Sequence, residues 1–337
     1  MSRIRSKKTL GHVERGIRGP AGRWLAVLAA VTAAVTGIIV LNVATPEPPV
    51  AGATVSPADR AILMPDSAHP AHRAAPTAPI PPAGWTLEWN DEFSGTALNR
   101  AYWDVEDDST YGDGNNELAC LLDRPANVSV AGGELAITAR REAASVRCGR
   151  TDRRFPDGRS YTSGMVSTKG KVAFEYGRFE IRARTPTSPG TSKGLWPAFW
   201  MRPVDGDIGE IDILEILGTG TGTGQPGANR VYQTILYDYV GTYRKQSRAY
   251  DLPTGSFSDG FHTFAIEWEP GSISWFVDGA LTYRRTAETT PWLDEAFVGD
   301  FYLRLNLAVG GDWPGAPDAD TSFPARFQVD YVRVYRR

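Results

Sequence analysis

From Gly84 onward, apolar and polar residues alternate in short runs broken by Gly, Pro, Asn and Asp, and no long apolar repeat of period 3.6 occurs. A period of two puts successive side chains on opposite faces of an extended strand. The clearest strands are expected over Val172–Tyr176, Phe179–Ala183, His262–Trp268 and Ser272–Gly279, the last ending in the Asp278-Gly279 pair that signals a tight hairpin turn. Many short antiparallel strands at this spacing predict an all-β sandwich.

One run breaks the pattern. Gly209 to Gly218 reads Gly-Glu-Ile-Asp-Ile-Leu-Glu-Ile-Leu-Gly and sets Glu210, Asp212 and Glu215 among apolar residues, where an unpaired charge is costly. Strict alternation puts Glu210 and Asp212 on one face and Glu215 on the other. A β-bulge between Asp212 and Glu215 would absorb one residue and return Glu215 to the face of its partners, and bulges of this kind occur beside active sites. Two carboxyls about 5–5.5 Å apart suit a retaining glycosidase, one attacking the sugar and the other protonating the leaving oxygen. The plain alternative is a row of solvated strand acids alternating with core isoleucines.

Charge narrows the partners. With 36 basic against 39 acidic residues the formal net charge is −3, and beyond the amino terminus the bases are scattered among acids, so no nucleic acid is expected as a partner. Ten Trp, 13 Tyr and 13 Phe suit either stacking on sugar faces or an ordinary β core. Cys120 and Cys148 are the two cysteines of the chain; a disulfide is expected, with a pair of buried thiols as the alternative. A zinc site would need more ligands than these supply.

The first 83 residues read differently. Residues 1–23 form a basic, cytoplasmic segment, with Arg3, Arg5, Lys7, Lys8, Arg15, Arg18 and Arg23 against Glu14. Residues 24–43 carry no charge and are long enough to span a bilayer, and Ala51-Gly52-Ala53 offers a cleavage pattern farther on. Export is expected, by a cleaved signal peptide or with the protein anchored to the membrane through this segment. Residues 44–83, rich in Pro and Ala, read as a linker, and 84–337 as one catalytic domain, expected to be a monomer.

Gly194-Leu-Trp-Pro-Ala-Phe-Trp-Met-Arg-Pro203, followed by the acid run, resembles glycoside hydrolase family 16, in particular its laminarinase-like, endo-β-1,3-glucanase branch. The resemblance covers Trp85 to Tyr335, through Trp89-Asn-Asp-Glu-Phe93, Gly114-Asn-Asn-Glu-Leu118, Tyr161-Thr-Ser-Gly164, Tyr176-Gly-Arg-Phe-Glu180, Leu305-Asn-Leu-Ala-Val-Gly-Gly-Asp-Trp-Pro-Gly315 and Val329-Asp-Tyr-Val-Arg-Val-Tyr335. It implies a β-jelly-roll sandwich, concanavalin A-like, whose concave sheet forms a carbohydrate-binding cleft.

It further implies Glu210 as nucleophile, Glu215 as general acid and then base, and Asp212 as the residue that tunes the nucleophile. Trp196, Trp200, Arg178 and Asn116 match positions bordering the cleft, and Glu92, the backbone of Gly133 and Asp330 match positions that often hold a structural calcium. No cofactor is required for catalysis on this reading. β-Glucan with β-1,3 or mixed β-1,3/1,4 linkages is the expected substrate. A transglycosylase, a galactan, agar or carrageenan hydrolase, and a non-catalytic glucan-recognition protein stay open, the last disfavoured by the presence of both glutamates. Two departures bear on substrate: Leu236 stands where a His is common, and Ala119-Cys-Leu-Leu122 stands where aromatics are usual.

Overall fold

The computed structural model describes residues 81–206, 208–221, 227–238 and 243–337. The basic segment, the apolar segment and all of the Pro/Ala-rich linker except its last three residues lie outside these. Among the described residues no helix is long and apolar enough to cross a membrane.

Two sheets pack face to face. The first runs β15 (Ala280–Thr286), β14 (Ser272–Val277), β13 (His262–Glu269), β8 (Gly177–Arg184), β17 (Ala325–Arg336), β5 (Glu134–Val146), β6 (Arg159–Ser163), β3 (Ala119–Leu121), with β1 (Thr86–Asp91) on β17 and β4 (Val128–Ala131) on β5. The second runs β12 (Lys245–Asp251), β11 (Arg230–Leu236), β10 (Glu210–Glu215), β9 (Leu195–Pro203), β16 (Phe301–Val309), β7 (Met165–Ser167), β2 (Asp104–Val105). Pairing is antiparallel except between β3 and β6. This is the jelly-roll sandwich expected from the sequence.

Alternation builds the core. In β16 Phe301, Leu303, Leu305, Leu307 and Val309 share one face, while Tyr302, Arg304 and Asn306 share the other. The apolar face meets Phe179, Ile181, Phe264, Ile266, Trp268, Val332 and Val334 of the first sheet in one buried cluster. Each such side chain contributes roughly 1.5–3 kcal/mol by leaving water. That leaves the opposite face of β9, β10 and β16 free to carry polar side chains.

The Asp278-Gly279 turn joins β14 to β15, with both residues at positive φ, 48° and 79°, as a two-residue hairpin requires. Val172–Tyr176 differs from expectation: it forms no strand, only an isolated bridge between Phe174 and Phe301. Its alternation reflects Phe174 packing into the core beside Trp89 and Phe179, a period a loop can meet without joining a ladder.

Candidate active site

The site begins at the irregularity in β10. Against β11, Glu210 pairs with Leu236, Asp212 with Thr234 and Glu215 with Tyr232, the register slipping between Asp212 and Glu215. Against β9, Asp212 pairs with Trp200 and Glu215 with Ala198, with a slip between Asp212 and Leu214. This is the bulge that the odd spacing demanded. All three carboxyls line one cavity of about 700 Å3, although each residue is less than a tenth exposed. The bulge interrupts the ladder, and the Asp212 carbonyl accepts a hydrogen bond from the Trp275 indole of the facing sheet at 2.9 Å.

Burial sets the protonation of the acids. Glu215 is pushed up to about 8, first by burial and then by the charge of Glu210, against the opposing pull of Lys245 and the Trp196 N–H. Asp212 is driven well above its ordinary value by burial, then by Glu215 and Glu210, with Lys245 and Arg202 opposing. Arg202 brings a positive charge to 3.5 Å from Glu210 Oε2. One face of one strand therefore carries two carboxyls that favour the neutral acid and a third faced by a guanidinium.

Aromatic rings wall the acids. Trp196 Nε1 donates to Glu215 Oε1 at 3.1 Å, and its ring stands edge-on to Trp313 at 5.3 Å, which in turn meets Tyr232 at 4.8 Å. On the other side Trp200 Nε1 donates to Asn306 Oδ1 at 2.8 Å, and the Arg304 guanidinium lies 4.6 Å from the Tyr111 ring and 4.8 Å from Trp200. Trp196 and Trp200 thus line the same cavity as the three acids.

The loop from Thr110 to Glu117 forms the remaining wall. Arg159, almost wholly buried, joins Asp113 at 2.7 Å and Asp152 at 2.5 Å, and Arg154 also holds Asp113 at 2.7 Å. The Cys120–Cys148 disulfide, with Cα atoms 5.6 Å apart, staples the segment following this loop. The Asp312 N–H donates to the Asn115 carbonyl at 2.8 Å. Glu117 faces the cavity with its carboxyl raised to about 7 by burial, which outweighs the hydrogen bond from Asn115.

Other expected positions fall elsewhere. Arg178 lies in β8 of the opposite sheet, where its guanidinium pairs with Glu180 at 2.7 Å and Glu267 at 3.0 Å; it does not line the cleft. Asn116 is exposed in a left-handed turn, φ 58°, and donates to both Asp312 oxygens, at 2.9 and 3.0 Å; it ties two loops while its neighbours Asn115 and Glu117 reach the cavity. Glu92 accepts a two-pronged bond from Arg333 at 2.7 and 2.8 Å, Asp330 accepts from Arg182, and Gly133 sits in the β4–β5 turn. Leu236 lines the cavity, whereas Ala119, Cys120 and Leu121 are buried in β3. Tyr111, Glu117, Lys245 and Asn306 line the cavity without having been singled out by the sequence.

The model of glycosyl hydrolases family 16 matches residues 115–333. A beta-glucanase of Rhodothermus marinus is 40% identical over 269 residues, which span 75% of this chain and 85% of that protein. Glucan endo-1,3-beta-glucosidase A1 of Niallia circulans is 36% identical over 75% of this chain, which spans 38% of that longer protein. Among solved structures, the catalytic domain of an endo-1,3-beta-glucanase (laminarinase) from Thermotoga petrophila RKU-1 aligns with a TM-score of 0.63 at 36% identity, over 75% of this chain and 98% of that one.

Proposed function

The chain belongs to glycosyl hydrolases family 16, a glycosidase acting on O-glycosyl bonds of β-glucan, and from its acid cluster we propose that it cleaves β-1,3 or mixed β-1,3/1,4 linkages internally, with retention. The observation that carries the mechanism is the bulge, which puts Glu210 and Glu215 on one wall of one cavity with Glu215 biased toward the protonated form.

Glu210, faced by Arg202, attacks the anomeric carbon while Glu215 gives its proton to the departing glycosidic oxygen. The sugar is then esterified to Glu210 and Glu215 is ionised. Glu215 takes a proton from an incoming water, whose oxygen displaces Glu210 from the anomeric carbon, restoring both carboxyls. Asp212, between them on the same face, stabilises whichever neighbour is charged by donating a hydrogen bond to it while keeping its own proton. A sugar hydroxyl in place of water would make the reaction a transglycosylation through the same ester.

Reducing-end release by the purified protein from laminarin, mixed-linkage glucan, xyloglucan, agarose and carrageenan tests the reading, with Glu210→Gln as control. Release from laminarin or mixed-linkage glucan by the wild type alone, with the β-anomer formed first by NMR, is the expected result. An α-anomer as first product would overturn retention, and release from agarose or carrageenan in preference would overturn the substrate.

The basic and apolar segments of residues 1–43 support a further proposal of export, with the domain secreted or tethered outside the membrane; fractionation of the producing cells decides between the two. We also propose a monomer, to be checked by sedimentation. A structural calcium at Glu92, Asp330 and the Gly133 carbonyl requires Arg333 to leave Glu92, so as arranged these carboxylates favour arginine. A rise in Tm with added calcium, reversed by a chelator, would support the ion; an unchanged Tm would remove it.

A further inference from the structure

Among the described residues lining the cavity, five are carboxylic acids, Asp113, Glu117, Glu210, Asp212 and Glu215, and one is a cation, Lys245. Asp113 is matched by Arg154 and Arg159, and Glu210 by Arg202. Lys245 joins no carboxylate in an ion pair among the described residues. Its ammonium instead lies 5.2 Å from the centre of the Trp313 ring.

The register explains how it gets there. Lys245 opens β12 directly opposite Leu236 of β11, and Leu236 lies opposite Glu210 of β10. Leucine offers no polar group, so in this row of three strands the one positive charge is that of the lysine. Trp313 stands edge-on to Trp196, and Trp196 donates to Glu215. The cation is thus carried on the same aromatic wall that orients the general acid proposed above.

We infer that Lys245 is a positioning residue for the proton of the acid cluster, its ammonium on Trp313 supplying the positive charge that allows Glu215 to ionise and regain its proton within one catalytic cycle. The inference rests on the role proposed for Glu215. Several groups face that carboxyl. Glu210 and Asp212 come from its own strand, Trp196 from β9 and Lys245 from β12; Tyr232 lies opposite on β11 and Asn306 farther off on β16. Burial and Glu210 oppose ionisation, while Lys245 and the Trp196 N–H favour it. An acid that could only stay neutral could neither release its proton in the first half of the reaction nor serve as the base in the second. Lys245 is exposed, so its effect is a modest one that salt reduces.

The test uses the purified protein with Lys245→Met and Lys245→Arg. The indole N–H of Trp196, bonded to Glu215, reports the protonation of that carboxyl by its NMR shift against pH, without substrate. Lys245→Met should move this midpoint upward by roughly half a pH unit. The alkaline limb of kcat/KM on laminarin should follow it, and Lys245→Arg should keep both near wild type. At about 1 M salt the gap between wild type and Lys245→Met should shrink. An unmoved midpoint in Lys245→Met overturns the inference, as does a raised KM with both midpoints unchanged, which would make Lys245 an ordinary sugar contact. A moved midpoint in a protein that hydrolyses no β-glucan would sustain the role of Lys245 and sink the substrate reading instead.

Discussion

The Trp275 indole, in the sheet that carries none of the three cavity acids of β10, donates to the backbone carbonyl of Asp212 at the bulge of the other sheet, 2.9 Å away through the core. A bulge sets an acid on the right face only by breaking its ladder, and a buried carbonyl without a partner is costly. The far sheet supplies that partner. Trp275→Phe keeps an aromatic ring but removes the donor, and should cost about 1–3 kcal/mol of stability. A larger proportional loss of kcat than Trp275→Phe causes in overall folding would show that the bond also holds the geometry of Glu215. Denaturant unfolding and kinetics together check this, and a variant with wild-type kcat would refute the link.

The two glutamates should fail differently. Glu210→Gln should lower kcat by about 10³-fold or more on every substrate, because no nucleophile remains. Glu215→Gln should be comparably poor on laminarin, yet should still form the glycosyl ester from an aryl β-glucoside oligomer whose leaving group needs no proton. Burst kinetics with such a substrate distinguish them. Equal losses on both substrates in both variants would exchange or erase the roles.

Glu117 and Glu215 bear on stability as well as rate. Their folded values, about 7 and about 8, lie above the ordinary 4.5 that an unfolded chain restores. Between about pH 4.5 and 8 the folded protein therefore holds more protons than the unfolded one, and this contribution to stability falls as pH rises through the window. Glu117→Gln mimics the protonated form. Its Tm relative to wild type should climb between pH 5 and 8; a constant difference across that range would contradict the burial of a titrating carboxyl there.

Reduction of Cys120–Cys148, or its replacement by two alanines, frees a segment spanning 28 residues of sequence. The loop-closure cost predicts a loss of about 3–4 kcal/mol. Because the staple follows directly on the wall that carries Tyr111 and Glu117, KM for long glucan chains should rise along with the fall in Tm. An unchanged KM would mean that Arg154 and Arg159 hold the wall without the disulfide.

The bulge was legible because three acids at spacings of two and three cannot share a strand face without one. Trp196 and Trp200 were legible through the family-like run that carries them, and they stand on β9, the strand directly beside the acids, with Trp200 opposite Asp212. Arg178 was not. Alternation tells which side of a strand a residue faces, but not which of two sheets the strand joins, and Glu180 and Glu267 claim its guanidinium in the sheet remote from the cleft. Glu117 and Tyr111 were hidden for another reason. They lie on a loop whose place is fixed by Arg154, Arg159 and contacts with Asp312, all distant in sequence. Lys245 reads as one charge in an exposed strand, and only the row it shares with Leu236 and Glu210 gives it a site to act on.

Thr86 at the start of β1 and Arg336 at the end of β17 are register partners in the first sheet, while the acids open from the second. The domain therefore has a back and a working side. A surface, a fluorophore or a second module fastened at either of these residues would be attached to the back. An immobilised form would present the groove outward, so a long polysaccharide could reach the acids while its carrier stays fixed behind.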